Sequence, residues 1–199
     1  MGARVNRPAL FFDRDGTLCR EVGYVNHPDR LELMPDTAAV LRAVRGRGWA
    51  AVVVTNQAGA ARGYFPFHRI EETHRRLAAL LAARGAALDG IYYCPHHPDV
   101  GPPGLRRRCG CRKPAPGMLE RAARDLDLDL ARSWIVGDTF KDVGAGRAAG
   151  LAGTVLLRTG YGRGELIKHA SEARVWPDHV ADDLSAAVDW ILGRSPEAR

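Results

Sequence analysis

The chain's apolar positions follow two periods. Short uninterrupted apolar runs at 9–12, 49–54, 90–93, 134–136 and 153–157 read as strands buried on both faces. Between them, apolar residues recur every three or four positions. One such stretch predicts a helix opening at 34–36, with Asp36 as its N-cap and Val40, Leu41 and Val44 on its inner face. Others predict a helix over 67–84, with Ile70, His74, Leu77 and Leu81 on one stripe, and helices over 117–126, 142–149 and 181–192. Residues 193–199 are expected to fray. Strand and helix alternate five times, which predicts a single α/β domain over 1–199 built on a doubly wound open parallel sheet.

Three stretches break the alternation. Residues 19–33 are polar and irregular, a loop expected to pass over the end of the first strand, where such loops contact substrate. Residues 94–116, inserted after the third strand, are rich in Pro, Gly, Arg, His and Cys and have little to bury without a cross-link. Residues 160–164 read as a Gly-rich turn.

The polar residues that follow the strands carry the candidate chemistry. Asp13 and Asp15 leave the first strand, Thr55 and Asn56 the second, and Asp138 the fourth. In a doubly wound sheet these strand ends open onto one crevice. Asp13, a carbonyl from Asp15 and Asp138 can hold Mg²⁺, a hard cation that keeps waters and a substrate phosphate among its ligands; the alternative is a pair of solvated acids in an Asx turn. Asp142 either orients these groups or caps the helix it begins. The hydroxyl of Thr55 and the amide of Asn56 suit phosphate oxygens or, equally, capping. Arg112 and Lys113 place two cations where a phosphate needs them. Together these parts describe phosphoryl transfer to a carboxylate nucleophile.

Three of the four cysteines, Cys94, Cys109 and Cys111, cluster with His96 in the 94–116 stretch. Four borderline ligands close a tetrahedral Zn²⁺ site with no place for water, so the ion is expected to be structural. Free thiols, or His97 in place of His96, are the alternatives. Cys19 is left as a free thiol near the site.

Composition adds little to this. At 199 residues, 46% hydrophobic and 26% charged, the chain is that of an ordinary globular domain. No run approaches a membrane span and no signal peptide opens the sequence, so a cytoplasmic protein without membrane contact is expected. The net charge of +6 favours anionic partners. A zinc-stabilised nucleic-acid-binding module is the rival from another class. It leaves the acids after two separate strands unexplained, and the basic residues lack interleaved aromatics, so no nucleic-acid partner is expected.

The segments Phe12 to Leu18, Thr55-Asn56-Gln57, Arg112-Lys113-Pro114 and Gly137-Asp138, in this order and after these strands, resemble the four motifs of the haloacid dehalogenase superfamily of phosphatases. With Cys94-Pro95-His96-His97-Pro98 and Cys109-Gly110-Cys111, the match narrows to the capless, zinc-containing histidinol phosphatase group. The resemblance implies Asp13 as nucleophile, Asp15 as general acid/base, and Asp13, Asp15 and Asp138 as Mg²⁺ ligands. It implies Thr55 and Lys113 as stabilisers of the phosphoryl group. Glu21, Val22, Gly23, Tyr24, Asn56, Gln57, Ala58 and Arg112 are implied substrate contacts, Arg112 at the sugar end or its second phosphate. The implied substrate is a phosphorylated sugar, heptose 1,7-bisphosphate losing its 7-phosphate. Histidinol phosphate is the rival, disfavoured because relatives that use it have a shorter stretch between the zinc pairs. A monomer is implied by the open cleft. Two positions depart from the pattern: Ala58 stands where Ser is usual, and Thr139 where Lys is common.

Overall fold

A computed structural model describes residues 6–169 and 175–194. Six strands form one parallel sheet: β1 (Ala9–Phe12), β2 (Ala50–Asn56), β3 (Gly90–Cys94), β4 (Trp134–Gly137), β5 (Gly153–Leu157) and β6 (His179–Ala181). Their order is β3-β2-β1-β4-β5-β6, so the chain reverses direction across the sheet between β1 and β4. Because both faces of a parallel sheet are covered, alternate residues of one strand enter different cores. Leu10, Phe12, Val53, Val136 and Leu157 pack with residues of α1 (Thr37–Gly46), α2 (His68–Ala82) and α6 (Leu184–Arg194). Phe11, Val52, Val54 and Ile135 pack on the other face with residues of α3 (Gly117–Leu126) and α4 (Phe140–Ala148).

Four expectations change. Asp36 precedes α1 but does not cap it; its Oδ2 accepts from Ser185 N at 2.9 Å and Ser185 Oγ at 2.8 Å, so it ties the start of α6 to the start of α1. The supposed turn at 160–164 runs into a helix, α5 (Gly162–His169), which opens with two glycines in its first three residues and carries no apolar stripe to announce it. β6 is only three residues long and half-buried, too short for the periodic signal, and it takes Ala181 from the last helix. Gly193 and Arg194 continue α6 instead of fraying; residues 195–199 lie outside the described residues.

His74 sits on the inner stripe of α2 as expected, with its ring 5.1 Å from that of Tyr93. Burial, with the nearby charge of Arg14, pulls its pKa down to about 3. Cys19 is buried, and burial pushes its thiol up to about 12. Among the described residues, no helix is long and apolar enough to cross a membrane.

Candidate active site

The site lies at the C-terminal ends of β1, β2 and β4, around the point where strand order reverses. Asp13 N donates to Val136 O at 3.0 Å, which seats the first acid against β4. One ligand oxygen each from Asp13, Asp138 and Asp142 fall within 4.8 Å of one another. Lys113 Nζ stands among them, 3.0 Å from Asp13 Oδ1 and 2.5 Å from Asp142 Oδ1, and donates to Val54 O at 2.7 Å.

Each of the three acids is held differently. Asp142 has both oxygens committed: Oδ1 to Lys113, Oδ2 to Thr139 N at 3.1 Å and Thr139 Oγ1 at 2.7 Å. It therefore does both things foreseen for it, positioning Lys113 and closing the start of α4. Asp138 Oδ2 accepts from Tyr161 N at 2.8 Å. Asp13 Oδ1 accepts from Arg14 N at 2.8 Å. A cation at this cluster would draw on Asp13 and Asp138, since both oxygens of Asp142 are committed.

Two glycines make the room. Gly16 (φ 77°) and Gly160 (φ 51°) pack against the Asp138 carboxylate, and a Cβ on either would overlap it. Thr159 Oγ1 donates to Gly16 O at 2.6 Å, tying the two glycine turns together.

The electrostatics call for a cation. Burial raises the Asp13 carboxyl to about 6 against the pull of Lys113, with the like charges of Asp142 and Asp15 adding to the rise. Burial and the adjacent Asp13 raise Asp138 to about 8. Burial works against the Lys113 ammonium, but Asp13 and Asp142 outweigh it and raise its pKa. Three carboxylates against one ammonium gather acids in excess of bases at the floor of the cleft, which a divalent cation held by oxygen would neutralise. The donor set fits Mg²⁺.

Asp15 does not join this cluster through its side chain. Its Oδ1 accepts from Arg14 Nε at 2.9 Å, and its Oδ2 from Arg14 Nη2 at 2.8 Å and Gln57 Nε2 at 2.9 Å. Gln57 also accepts from Arg14 Nη2 at 2.9 Å and donates to Thr55 Oγ1 at 3.0 Å. Arg14 is 1% exposed. This buried guanidinium clamp went unrecognised in the sequence, although an Arg between two acids after a buried strand was a signal that could have found it.

A polar cavity of about 380 Å³ opens above these groups, lined by Asp13, Asp15, Thr55, Lys113 and Asp138 at its base. Glu21, Gly23, Tyr24, Gln57, Ala58 and Arg112 of the expected contacts also line it, but Val22 packs toward the core and Val25 takes its place. Asn56 lines it too, with its amide turned to the Lys113 main chain: Nδ2 donates to Lys113 O and Oδ1 accepts from Lys113 N, both at 3.1 Å. Arg62, Thr139, Lys141, Tyr161 and Glu165 complete the wall; Arg62, Thr139 and Tyr161 lie outside the helices, Lys141 in the first turn of α4 and Glu165 in that of α5.

The second constellation forms beside β3. Cys94 Sγ lies 3.5 Å from Cys109 Sγ, 3.3 Å from Cys111 Sγ and 3.6 Å from His96 Nδ1; Cys111 Sγ lies 3.3 Å from Cys109 Sγ and 3.4 Å from His96 Nδ1. A zinc tetrahedron with bonds of about 2.0–2.3 Å has edges of about 3.5–3.8 Å, so these four atoms fit Zn²⁺. His97 is outside the cluster.

Comparison with known proteins agrees with this geometry. The HAD-hydrolase-like family model matches residues 110–187. A D-glycero-D-manno-heptose-1,7-bisphosphate 7-phosphatase of Thermosynechococcus vestitus is 43% identical over 93% of this chain and 95% of its own. A D-glycero-beta-D-manno-heptose-1,7-bisphosphate 7-phosphatase of Escherichia coli K12 is 41% identical over 91% of this chain and 93% of its own. Among solved structures, a D,D-heptose 1,7-bisphosphate phosphatase from B. bronchiseptica, complexed with magnesium and phosphate, superposes with a TM-score of 0.80 at 33% identity, covering 94% of this chain and 98% of its own.

Proposed function

The chain belongs to the HAD-like hydrolases and is a phosphatase, and on that premise we propose that it removes the 7-phosphate of D-glycero-D-manno-heptose 1,7-bisphosphate, leaving the 1-phosphate. The observation that carries the reading is the base of the cavity: the Asp13 carboxylate, its Oδ1 3.0 Å from Lys113 Nζ, grouped within 4.8 Å with the carboxylates of Asp138 and Asp142. The names of its relatives supply the sugar.

In this reading one oxygen of the Asp13 carboxylate attacks phosphorus in line and the bond from phosphorus to the sugar oxygen breaks. The leaving oxygen takes a proton from Asp15, and an aspartyl phosphate forms on Asp13. Asp15, now ionised, removes a proton from water, which attacks the same phosphorus and releases inorganic phosphate and the free Asp13 carboxylate. Arg14 and Gln57 hold both oxygens of Asp15 by hydrogen bonds that they donate, so carrying the proton in the first half reaction requires one of those bonds to give way. Lys113 and Thr55 face the non-bridging oxygens as charge builds. Asp13, Asp138 and the Asp15 carbonyl would hold Mg²⁺, which when bound would supply charge neutralisation for the transferring phosphoryl group. Zn²⁺ on Cys94, His96, Cys109 and Cys111 would pin the loop that carries Arg112 and Lys113. Four unpaired cysteines fit a reducing cytoplasm, and the open cleft fits a monomer.

The test is phosphate release from heptose 1,7-bisphosphate, histidinol phosphate and an aryl phosphate, with Mg²⁺ present or withheld. Preferred, Mg²⁺-dependent turnover of the bisphosphate is expected. Preference for histidinol phosphate would overturn the substrate and keep the mechanism.

A further inference from the structure

Among the described residues, four buried side-chain polar atoms have no hydrogen-bond partner in the protein: Arg14 Nη1, Thr17 Oγ1, Arg69 Nε and His74 Nε2. Buried polar groups are as a rule paired, with protein or with ordered water, so each of these needs a partner. Two of them are complementary. A guanidinium nitrogen only donates, and a neutral imidazole has one nitrogen that only accepts. Arg14 is 1% exposed and His74 6%. Burial and the nearby charge of Arg14 keep the His74 ring neutral.

The fold brings the two under one helix. Val53 pairs with Ile91 and Thr55 with Tyr93 in the β2–β3 register, so all four side chains lie on the face that α2 covers. The His74 ring, on the inner side of α2, lies 5.1 Å from the Tyr93 ring. On the neighbouring strand, about 4.8 Å away, Thr55 Oγ1 accepts from Gln57 Nε2 at 3.0 Å, and Gln57 Oε1 accepts from Arg14 Nη2 at 2.9 Å. Arg14 Nε and Nη2 are spent on Asp15 and Gln57, which leaves Nη1 as the unused corner of the guanidinium. The other donors near His74 are engaged elsewhere. The Tyr93 hydroxyl donates to Glu71 Oε1 at 2.5 Å, and the Arg69 guanidinium is held along α2 by Glu72 at 2.6 Å.

We propose that His74 is a positioning residue for Asp15: Arg14 Nη1 donates to one ordered water, which donates to His74 Nε2, and this link fixes the guanidinium that holds the Asp15 carboxylate. The proposal rests on the reading of Asp15 as general acid and base. It supplies what that reading needs, because Arg14 has to release a bond to Asp15 in one half reaction and return to it in the next. A guanidinium tethered at its third corner keeps its place while it does so.

The first test is the His74 ring in the zinc- and Mg²⁺-loaded wild type. Nitrogen-15 NMR of histidine-labelled protein should show one neutral tautomer between pH 5.5 and 8, with the proton on Nδ1 and Nε2 accepting. A proton on Nε2, or a charged ring at pH 5.5, would overturn the proposal. The second test is turnover. In His74→Phe, kcat on a sugar phosphate that the wild type hydrolyses should fall about tenfold further than kcat on 4-nitrophenyl phosphate, whose leaving group needs no proton. His74→Gln offers a neutral acceptor near the Nε2 position and should recover most of the difference. Equal falls on both substrates, or a difference that His74→Gln does not reduce, would show a merely structural role and overturn the proposal. Asp15→Asn, measured alongside, separates the two claims. If it falls equally on both substrates the acid/base reading fails, and the tautomer of His74 still decides whether the link to Arg14 exists.

Discussion

Replacing Asp138 by Asn should stabilise the Mg²⁺-free protein at alkaline pH, although it removes a proposed metal ligand. In the folded chain Asp138 has its pKa raised from 3.8 to about 8, chiefly by burial and then by Asp13. A carboxyl whose folded pKa lies above its unfolded value contributes stability at low pH and loses it as pH rises toward the folded pKa. From pH 6.5 up to about 8, where it is half titrated, the folded state holds most of the Asp138 proton and the unfolded state does not. The linkage slope of about 1.4 kcal/mol per pH unit then gives a loss of about 2 kcal/mol across that window. For a chain of this size that is roughly 4–8 °C in melting temperature. Asn keeps the acceptor for Tyr161 N and carries no charge, so the variant escapes the loss. The assay is thermal unfolding of zinc-loaded wild type and Asp138→Asn without Mg²⁺ at both pH values. Only their difference is read, so that other titrating groups cancel; His74, with its pKa near 3, titrates below the window in the folded state. The difference should move by roughly 4–8 °C in favour of the variant as pH rises, and saturating Mg²⁺ should raise the wild type's melting temperature and leave the variant's nearly still. A pH-independent difference, or equal Mg²⁺ stabilisation of both proteins, would refute the reasoning.

Lys113→Met leaves Asp13 and Asp142 buried without their shared cation, so a loss of about 3–5 kcal/mol in urea unfolding is expected together with loss of turnover; a variant as stable as wild type would count against the charge account. Gly16→Ala pushes a Cβ into Asp138 at a positive φ, and calorimetric titration should find Mg²⁺ affinity reduced tenfold or more. Cys109→Ser should lower bound zinc, measured by elemental analysis, and expose residues 94–116 to proteolysis, because that stretch has little apolar surface to hold it. Arg14→Met frees the Asp15 carboxylate from its clamp; kcat on a sugar phosphate, whose leaving oxygen needs a proton, should fall more than kcat on 4-nitrophenyl phosphate, whose leaving group does not.

The sheet was legible because its strands are uninterrupted apolar runs, and an element buried on both faces cannot be written otherwise. α3 was readable to the residue, since Gly117 and Leu126 bound a strong apolar stripe. α5 and β6 were not, because one is nearly uniform in polarity and the other too short to show a period. The candidate site was legible in its charges: Asp13, Lys113 and Asp138 announce themselves as polar residues where the strands end. What the sequence could not convey is which oxygen of an acid faces which neighbour. Asp142 holds Lys113 and closes α4 at once, Asn56 turns to the Lys113 main chain, Asp36 caps a helix 149 residues away. Each depends on packing between segments distant in sequence. Arg14 lay in plain view inside the first motif, but its burial became apparent only when β2 brought Gln57 to it.

The central claim is that Asp13 becomes phosphorylated. Rapid mixing of the Mg²⁺-loaded wild type with 7-phosphate-labelled heptose bisphosphate, acid quench within the first turnover and peptide mass spectrometry tests it directly. Label on the peptide containing Asp13, absent without Mg²⁺ and absent in Asp13→Asn, is the result the account predicts. Phosphate release from Asp13→Asn at the wild-type rate, with no labelled peptide in either protein, would contradict it.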